Sequence, residues 1–243
     1  MKCVRFVLVA ALLSLLLLPC TGSAQQAQPA PVALGKPMPD FTLPVYQGGD
    51  LTFSSLRGKT VMLVFPRGLA SKGSWCHVCN YQYAELAEAE QKQQFRKQHS
   101  VEILVVFPYT RSMIDEWIEK YPAQLADIEN GKNPSKDQPL DDRAKRRLET
   151  YRREFPKNFQ AKKGEVPTPF PILIDSERTL SRGLGIFTEE WSGSKVEQNI
   201  PSIYIVDSKG IVQFKYISQN TFDRPGLSYL SRMIRWIGGL PSR

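Results

Sequence analysis

"TVMLVFPRGLASKGSWCHVCNYQYAELAEAEQ", residues 60–91, decides how this chain folds. It opens on the apolar run Val61 to Phe65, bounded by Lys59-Thr60 and by Pro66, the pattern of a strand buried on both faces. A Gly-containing loop follows, then Cys76-His77-Val78-Cys79, then a segment rich in helix formers. Tyr83, Leu86, Ala87 and Phe95 recur at helical spacing, which predicts a helix over 77–98. "VEILVVFPY" (101–109) is the next apolar strand. Strand, helix and strand make a βαβ unit, which favours parallel pairing. The two cysteines therefore stand where a buried strand hands over to a helix, one turn apart.

Ahead of this unit the chain carries the marks of export. Lys2 and Arg5 form a basic n-region, Phe6 to Leu18 is apolar apart from Ser14, and Gly22-Ser23-Ala24 supplies small residues for cleavage. The apolar run is about thirteen residues, against the ~20 that a spanning helix needs. Residues 1–24 thus read as a signal peptide, with no stable membrane span after cleavage. Acylation at Cys20 is the weaker alternative, because Pro19 occupies the place where a small residue is wanted. The expected location is periplasmic or secreted, where disulfides persist. Cys3 and Cys20 leave with the signal, so Cys76 and Cys79 are the cysteines of the mature chain. Residues 25–34, "QQAQPAPVAL", have too little apolar content to pack and read as a flexible linker. The formal charge of +8 falls to +6 without Lys2 and Arg5. Acidic residues are interleaved with the basic ones and no arginine-aromatic module occurs, so nucleic acid is not an expected partner.

From 35 to 243 the pattern is that of one domain. Leu51 and Phe53 alternate as in a short strand, and Ser54 to Arg57 make a single helical turn. "TPFPILIDSERTLSRGLGI" (168–186) reads as a strand and a short helix. "NIPSIYIVDSKGIVQFKYI" (199–217) reads as a β-hairpin turning at Asp207-Ser208-Lys209-Gly210. "RPGLSYLSRMIRWIGG" (224–239) closes the chain with a helix whose Leu227, Leu230, Met233 and Ile234 face inward. Between residues 110 and 165 the chain turns polar. "SMIDEWIEKY" (112–121) predicts a helix with Ile114, Trp117 and Ile118 on one face, and "NGKNPSKDQ" (130–138) a turn. "PLDDRAKRRLETYRREF" (139–155) predicts a second helix, with a stripe of Leu140, Ala144, Leu148, Tyr151 and Phe155. A charged helical insertion at about 122–165 thus interrupts the domain.

The cysteine pair admits three chemistries. A structural zinc site wants four Cys or His ligands. The mature chain offers Cys76, Cys79, His77 and His99, with His77 inside the Cys-x-x-Cys step and no second pair downstream. No metal is expected. A structural cross-link gains stability with the length of loop it closes, and two intervening residues constrain little. A redox dithiol remains. At a helix N-terminus the unpaired amides and the dipole favour an anion, which predicts a lowered pKa at Cys76, with Cys79 placed to attack whatever becomes bonded to it. Trp75 is expected to pack over the pair and shield it. Arg67 has two readings, a surface loop residue or a cation that holds the Cys76 thiolate. His77, when charged, would stabilise the same thiolate; otherwise it is a solvated spacer.

Trp75-Cys76-His77-Val78-Cys79 between a strand and a helix resembles a thioredoxin-fold active site. Ile200-Pro201 ahead of "SIYIVD" stands where that fold carries a cis-proline facing the cysteines. "GKPMPDFTLP" (35–44), "SSLRGKTVMLVF" (54–65), "FPILIDSERTLSRGLGI" (170–186) and the closing "DRP" helix resemble the peroxiredoxin-like AhpC/TSA (redoxin) family over most of 35–243, with 122–165 the main departure. The resemblance implies an α/β, thioredoxin-like fold with a central mixed β-sheet flanked by helices. Relatives with an RG-x-W-C-P-x-C centre keep Arg-Gly and Trp-Cys nearly adjacent; here "LASKGS" separates them and His77 replaces proline. Typical peroxiredoxins use a proline, a Thr or Ser three residues before the peroxidatic cysteine, and an arginine brought from elsewhere. Counted from Cys76, the third residue back is Gly73, so the peroxide-activating set reads as incomplete.

The leading expectation is an exported thiol-disulfide oxidoreductase in which Cys76 attacks a disulfide and Cys79 resolves the mixed disulfide. The alternative is a thiol peroxidase with Cys76 peroxidatic and Cys79 resolving. A binding module with vestigial cysteines is the third. Both enzymatic routes exchange electrons with a partner protein's dithiol or disulfide, and neither implies a cofactor.

Overall fold

The computed structural model describes residues 31–135 and 139–240, so the signal-peptide reading of 1–24 and most of the expected linker lie outside the described residues. The chain enters through a short antiparallel hairpin, β1 (Thr42–Pro44) and β2 (Asp50–Thr52), and a 3-10 turn (Phe53–Leu56). The apolar run around Val61 forms β3 (Thr60–Phe65), with every residue buried. A second small hairpin, β4 (Leu69–Ser71) and β5 (Ser74–Trp75), leads into α1 (His77–Gln93) and α2 (Phe95–His99). Then come β6 (Val101–Phe107), α3 (Arg111–Lys132), α4 (Asp142–Glu154), β7 (Ile172–Ile174) and α5 (Thr179–Gly183). The chain closes with β8 (Phe187–Thr188), β9 (Gln198–Asn199), β10 (Ser202–Val206), β11 (Val212–Ile217) and α6 (Leu227–Ile237).

The central sheet has five strands in the order β11-β10-β3-β6-β7. β3, β6 and β7 run parallel, as the βαβ spacing predicts, while β10 pairs antiparallel with both β3 and β11. Strand alternation sends successive side chains to opposite faces. Met62, Val64, Ile103, Val105 and Phe107 enter one apolar cluster with residues of α1, α3 and α6. Val61, Leu63, Phe65, Leu104 and Val106 enter a second, covered by Phe53, Leu180 and Leu184. Helices therefore flank the mixed sheet on both faces. Among the described residues, no helix is long and apolar enough to cross a membrane.

The structure departs from the sequence pattern in ways that bear on the site. The loop before the cysteines is a hairpin, with Leu69 opposite Trp75 and Ser71 opposite Ser74. The helix expected over 77–98 breaks at Gln94, whose backbone is left-handed (φ 51), and resumes so that Phe95 is buried ahead of β6. The helix expected to end at Tyr121 runs on to Lys132, with Pro122 inside it, so no structural boundary exists at 122 and Asn130 to Lys132 are helix, not turn. Proline removes one amide donor, but Tyr121, Leu125 and Ile128 continue the buried stripe of Ile114 and Trp117, and that burial outweighs one lost bond. The α4 stripe lies half-buried, with Phe155 just past the helix end fully buried. A Cβ on Gly131 would lie 2.5 Å from the Tyr151 ring, so glycine lets α3 and α4 meet there. Finally, Val32 packs against the second cluster and its carbonyl accepts from Lys215 Nζ at 3.1 Å, so packing begins inside the segment expected to be linker.

Candidate redox site

The site is built where β3 ends. Pro66 follows the strand, and Gly68 turns the chain outward at φ +80. A Cβ on Gly68 would sit 2.3 Å from the Tyr109 ring, so both conformation and space require glycine there. The hairpin β4–β5 then returns the chain to its starting point: Cys76 N–H donates to the Gly68 carbonyl at 2.9 Å. The six-residue spacer is thus looped out, and Arg67-Gly68 and Trp75-Cys76 meet in space although the sequence separates them. Tyr109 clasps this junction, its hydroxyl accepting from Leu69 N–H at 2.9 Å and donating to the Glu197 carbonyl at 2.8 Å. Ser194 Oγ holds the Ala70 carbonyl and Lys120 Nζ the Gly73 carbonyl.

Cys76 is the N-cap of α1. Its backbone is extended (φ −73, ψ 110) and its Sγ accepts the Cys79 N–H at 3.3 Å. Cys79, on the first turn, receives donors from outside the pair: Arg67 N–H at 3.3 Å and Arg224 Nη2 at 3.7 Å. Arg224 comes from the loop after β11, where Nη1 donates to Ser218 Oγ at 2.8 Å and to the Asp223 carbonyl at 2.7 Å. Both thiols are unpaired and buried, with exposures of 2% and 6%. A cavity of about 10 Å³ lies against Cys79, walled by Pro66, Gly68, Trp75, Phe107 and Trp117, space for about one water-sized molecule.

The electrostatics set the two sulfurs apart. Burial works against an anion at Cys79, yet the Cys76 thiol, the Arg224 charge and the Arg67 amide together pull its pKa down to about 6. Cys76 moves the other way, well above the usual thiol range, because its proton is held by Cys79 and because it is buried. The donors from outside the pair, and with them the lowered pKa, therefore fall on Cys79 and not on Cys76. The helix end contributes one amide to Cys76, whereas a guanidinium and a second amide converge on Cys79.

The other predicted residues are redistributed. Arg67 is buried, neither a surface residue nor a cation on the thiolate. Its Nε donates to Gln198 Oε1 at 2.6 Å, its Nη2 to the Trp191 carbonyl at 3.0 Å, and its guanidinium lies 5.0 Å from the Trp191 ring centre. Its backbone, not its side chain, serves the site. Trp75 is buried edge-on to Phe107 and Tyr109, with Nε1 donating to Glu116 at 3.4 Å, and walls the cavity. Pro201 does not supply a cis bond: the described residues contain none. It is buried immediately before β10, its carbonyl accepting from Ser218 N–H, a strand-start place where the missing amide costs nothing. Burial lowers the pKa of His77 and so disfavours the charged form that would stabilise a neighbouring thiolate. Among the described residues, no group of three or more Cys, His, Asp or Glu is arranged to hold a metal.

Sequence reasoning missed Arg224, Tyr109 and the register of the pair. With the hairpin looped out, Cys79 becomes the cysteine that follows Pro66 through a compact turn, and the polar residue three before it is Cys76. The signal that points to Arg224 is its setting, the Asp223-Arg224-Pro225-Gly226 stretch just before the last helix.

Residues 34–215 match the model of the AhpC/TSA family. No curated protein sequence matches the chain. Among solved structures, a cysteine-to-serine mutant of peroxiredoxin 6 from Arenicola marina superposes with a TM-score of 0.53 at 14% identity, covering 84% of this chain and 72% of that one. The reduced 2-Cys peroxiredoxin of Plasmodium vivax gives 0.52 at 16% identity, covering 84% and 81%. At these identities the likeness concerns the fold.

Proposed function

Because this chain belongs to the AhpC/TSA family, a family of thioredoxin-fold thiol oxidoreductases, we propose that it reduces hydroperoxides with the Cys76–Cys79 dithiol. The observation that carries this reading is the buried Cys79 sulfur, held by Arg67 N–H and Arg224 and set against a water-sized cavity. A hydroperoxide needs far less room at the sulfur than a protein disulfide, which must approach it in line, and Cys79 is only 6% exposed. Each turnover passes two electrons from the thiols to the peroxide, leaving an internal disulfide. A partner protein's dithiol restores the pair.

Thiol-disulfide exchange on protein substrates is the second reading, favoured by the intact Cys-x-x-Cys pair at a helix start. Two rates decide between them: reduced protein with hydrogen peroxide, and reduced protein with a neutral disulfide such as hydroxyethyl disulfide, each followed by tryptophan fluorescence with a Cys76→Ser/Cys79→Ser control. A peroxide rate orders of magnitude above that of a free thiol at the same pH supports the peroxidase. A peroxide rate no better than a free thiol, with rapid disulfide exchange, supports the second reading instead. The order of basic, apolar and small residues in 1–24 supports export as the setting for either reaction. N-terminal sequencing of the exported protein is expected to begin at Gln25.

A further inference from the structure

We propose that Cys79 is the nucleophile of this dithiol and Cys76 its proton donor and resolving thiol, the reverse of the order that position at the helix start assigns. The substrate rests on the peroxidase reading; the direction rests on geometry. Arg67 N–H and the Arg224 guanidinium converge on Cys79 Sγ, whereas the amide on Cys76 Sγ comes from Cys79 itself. Cys79 also lines the small cavity. Arg224 is not a free surface cation that happens to pass by: Ser218 and the Asp223 carbonyl anchor one end, and its buried Nε has no partner. That leaves a donor unused on the guanidinium that touches Cys79. Of the other titratable groups near the pair, Tyr109 is kept a neutral phenol by burial, which pushes its pKa far up, and burial likewise works against a charge on His77, so the charges that act on Cys76 are those of Cys79 and Arg224.

The chemistry balances in two steps. The Cys79 thiolate attacks the terminal peroxide oxygen and the O–O bond breaks, giving Cys79–SOH and an alkoxide, or hydroxide, that takes the Cys76 proton and leaves as alcohol or water. The Cys76 thiolate so formed attacks the sulfenic sulfur; the S–S bond forms and hydroxide departs. The dithiol is oxidised by two electrons and the hydroperoxide reduced by two.

The test compares Cys76→Ser and Cys79→Ser, each fully reduced, with hydrogen peroxide and a dimedone trap, read by peptide mass. Cys76→Ser is expected to accumulate trapped sulfenic acid on Cys79, at least ~10-fold faster at pH 7 than Cys79→Ser does on Cys76, in keeping with the thiolate fractions of a lowered and an ordinary thiol. The opposite ranking overturns the assignment. Should both react no faster than a free thiol, the peroxidase reading has failed, and wild-type protein treated with limiting iodoacetamide at pH 7 still decides the roles. Carbamidomethyl on Cys79 supports the assignment and carbamidomethyl on Cys76 overturns it, as it also does if either serine variant is unfolded.

Discussion

Taking one proton from the Cys76–Cys79 pair leaves a charge whose position is set by donors, not by place on the helix. Arg224 supplies both charge and hydrogen bond to Cys79, so Arg224→Gln is expected to raise the pH midpoint of Cys79 alkylation from about 6 by ~1–3 units, the usual effect of removing an adjacent opposite charge. Arg224→Lys keeps the charge but loses the fork that reaches Ser218 and Cys79 together, and an intermediate midpoint is expected. The same shifts make stability depend on pH. Cys79 is lowered in the folded state, so its contribution is present above the unfolded thiol pKa and lost as pH falls through about 6. Cys76 is raised, so its contribution is present below the unfolded pKa and lost as pH rises beyond it. The reduced protein is therefore expected to gain stability from pH 6 towards pH ~8.5, with a slope of up to about 1.4 kcal/mol per pH unit, and urea titrations of wild type against Cys79→Ser read the difference. A flat difference would place the anion elsewhere.

At the scale of the element, the hairpin β4–β5 explains why the centre was only half legible. Apolar runs of one type spelled out β3, β6 and β10, because burial on both faces leaves a direct trace in sequence. The two small strands carry no such trace: each is three residues or fewer, and of their residues Trp75 alone is fully buried. The count back from Cys76 to Gly73 therefore measured distance along an excursion that ends where it starts, and the register of the site was hidden. Since Leu69 and Trp75 already pair across the hairpin, deleting residues 69–74 is expected to leave a folded protein with the Cys79 midpoint near its original value, measured by the same alkylation. Glycines at the two ends of the excursion are predicted to differ. Gly73→Ala meets open space at φ +74 and is expected to cost ~1–2 kcal/mol for the left-handed backbone. Gly68→Ala drives a methyl into Tyr109 as well, with an expected cost of ~2–5 kcal/mol from strain and overpacking together, and it displaces the carbonyl that fixes Cys76. Equal losses of stability for the two variants would contradict this account of the turn.

Across the whole molecule, the stretch at about 122–165 read in sequence as a charged helical insertion with an apolar stripe on its second helix. Its stripe was legible from spacing, but what the stripe touches was not, because contacts between distant segments leave no periodic signal. Phe155 carries it to the loop that holds Arg224. Buried to 1%, it lies 5.1 Å from the Tyr81 ring on α1, 5.2 Å from Tyr151 on α4 and 6.3 Å from Phe222. Phe222 and Arg224 belong to the same short loop, whose Asp223 carboxylate is tied to Gln219 N–H and Tyr216. The insertion thus presses on the loop that delivers the guanidinium to Cys79, 145 residues away in sequence. Phe155→Ala removes that support and leaves a cavity, and a loss of ~3–5 kcal/mol is expected in chemical denaturation. If the insertion acts only as ballast, the thiol is indifferent to this loss and the Cys79 alkylation midpoint stays where it was under native conditions. If it holds the Arg224 loop in place, the midpoint rises towards that of Arg224→Gln. Phe155→Leu, which refills most of the volume, then returns it part of the way, and Arg224→Gln/Phe155→Ala shows no further rise, because the second change has nothing left to act through.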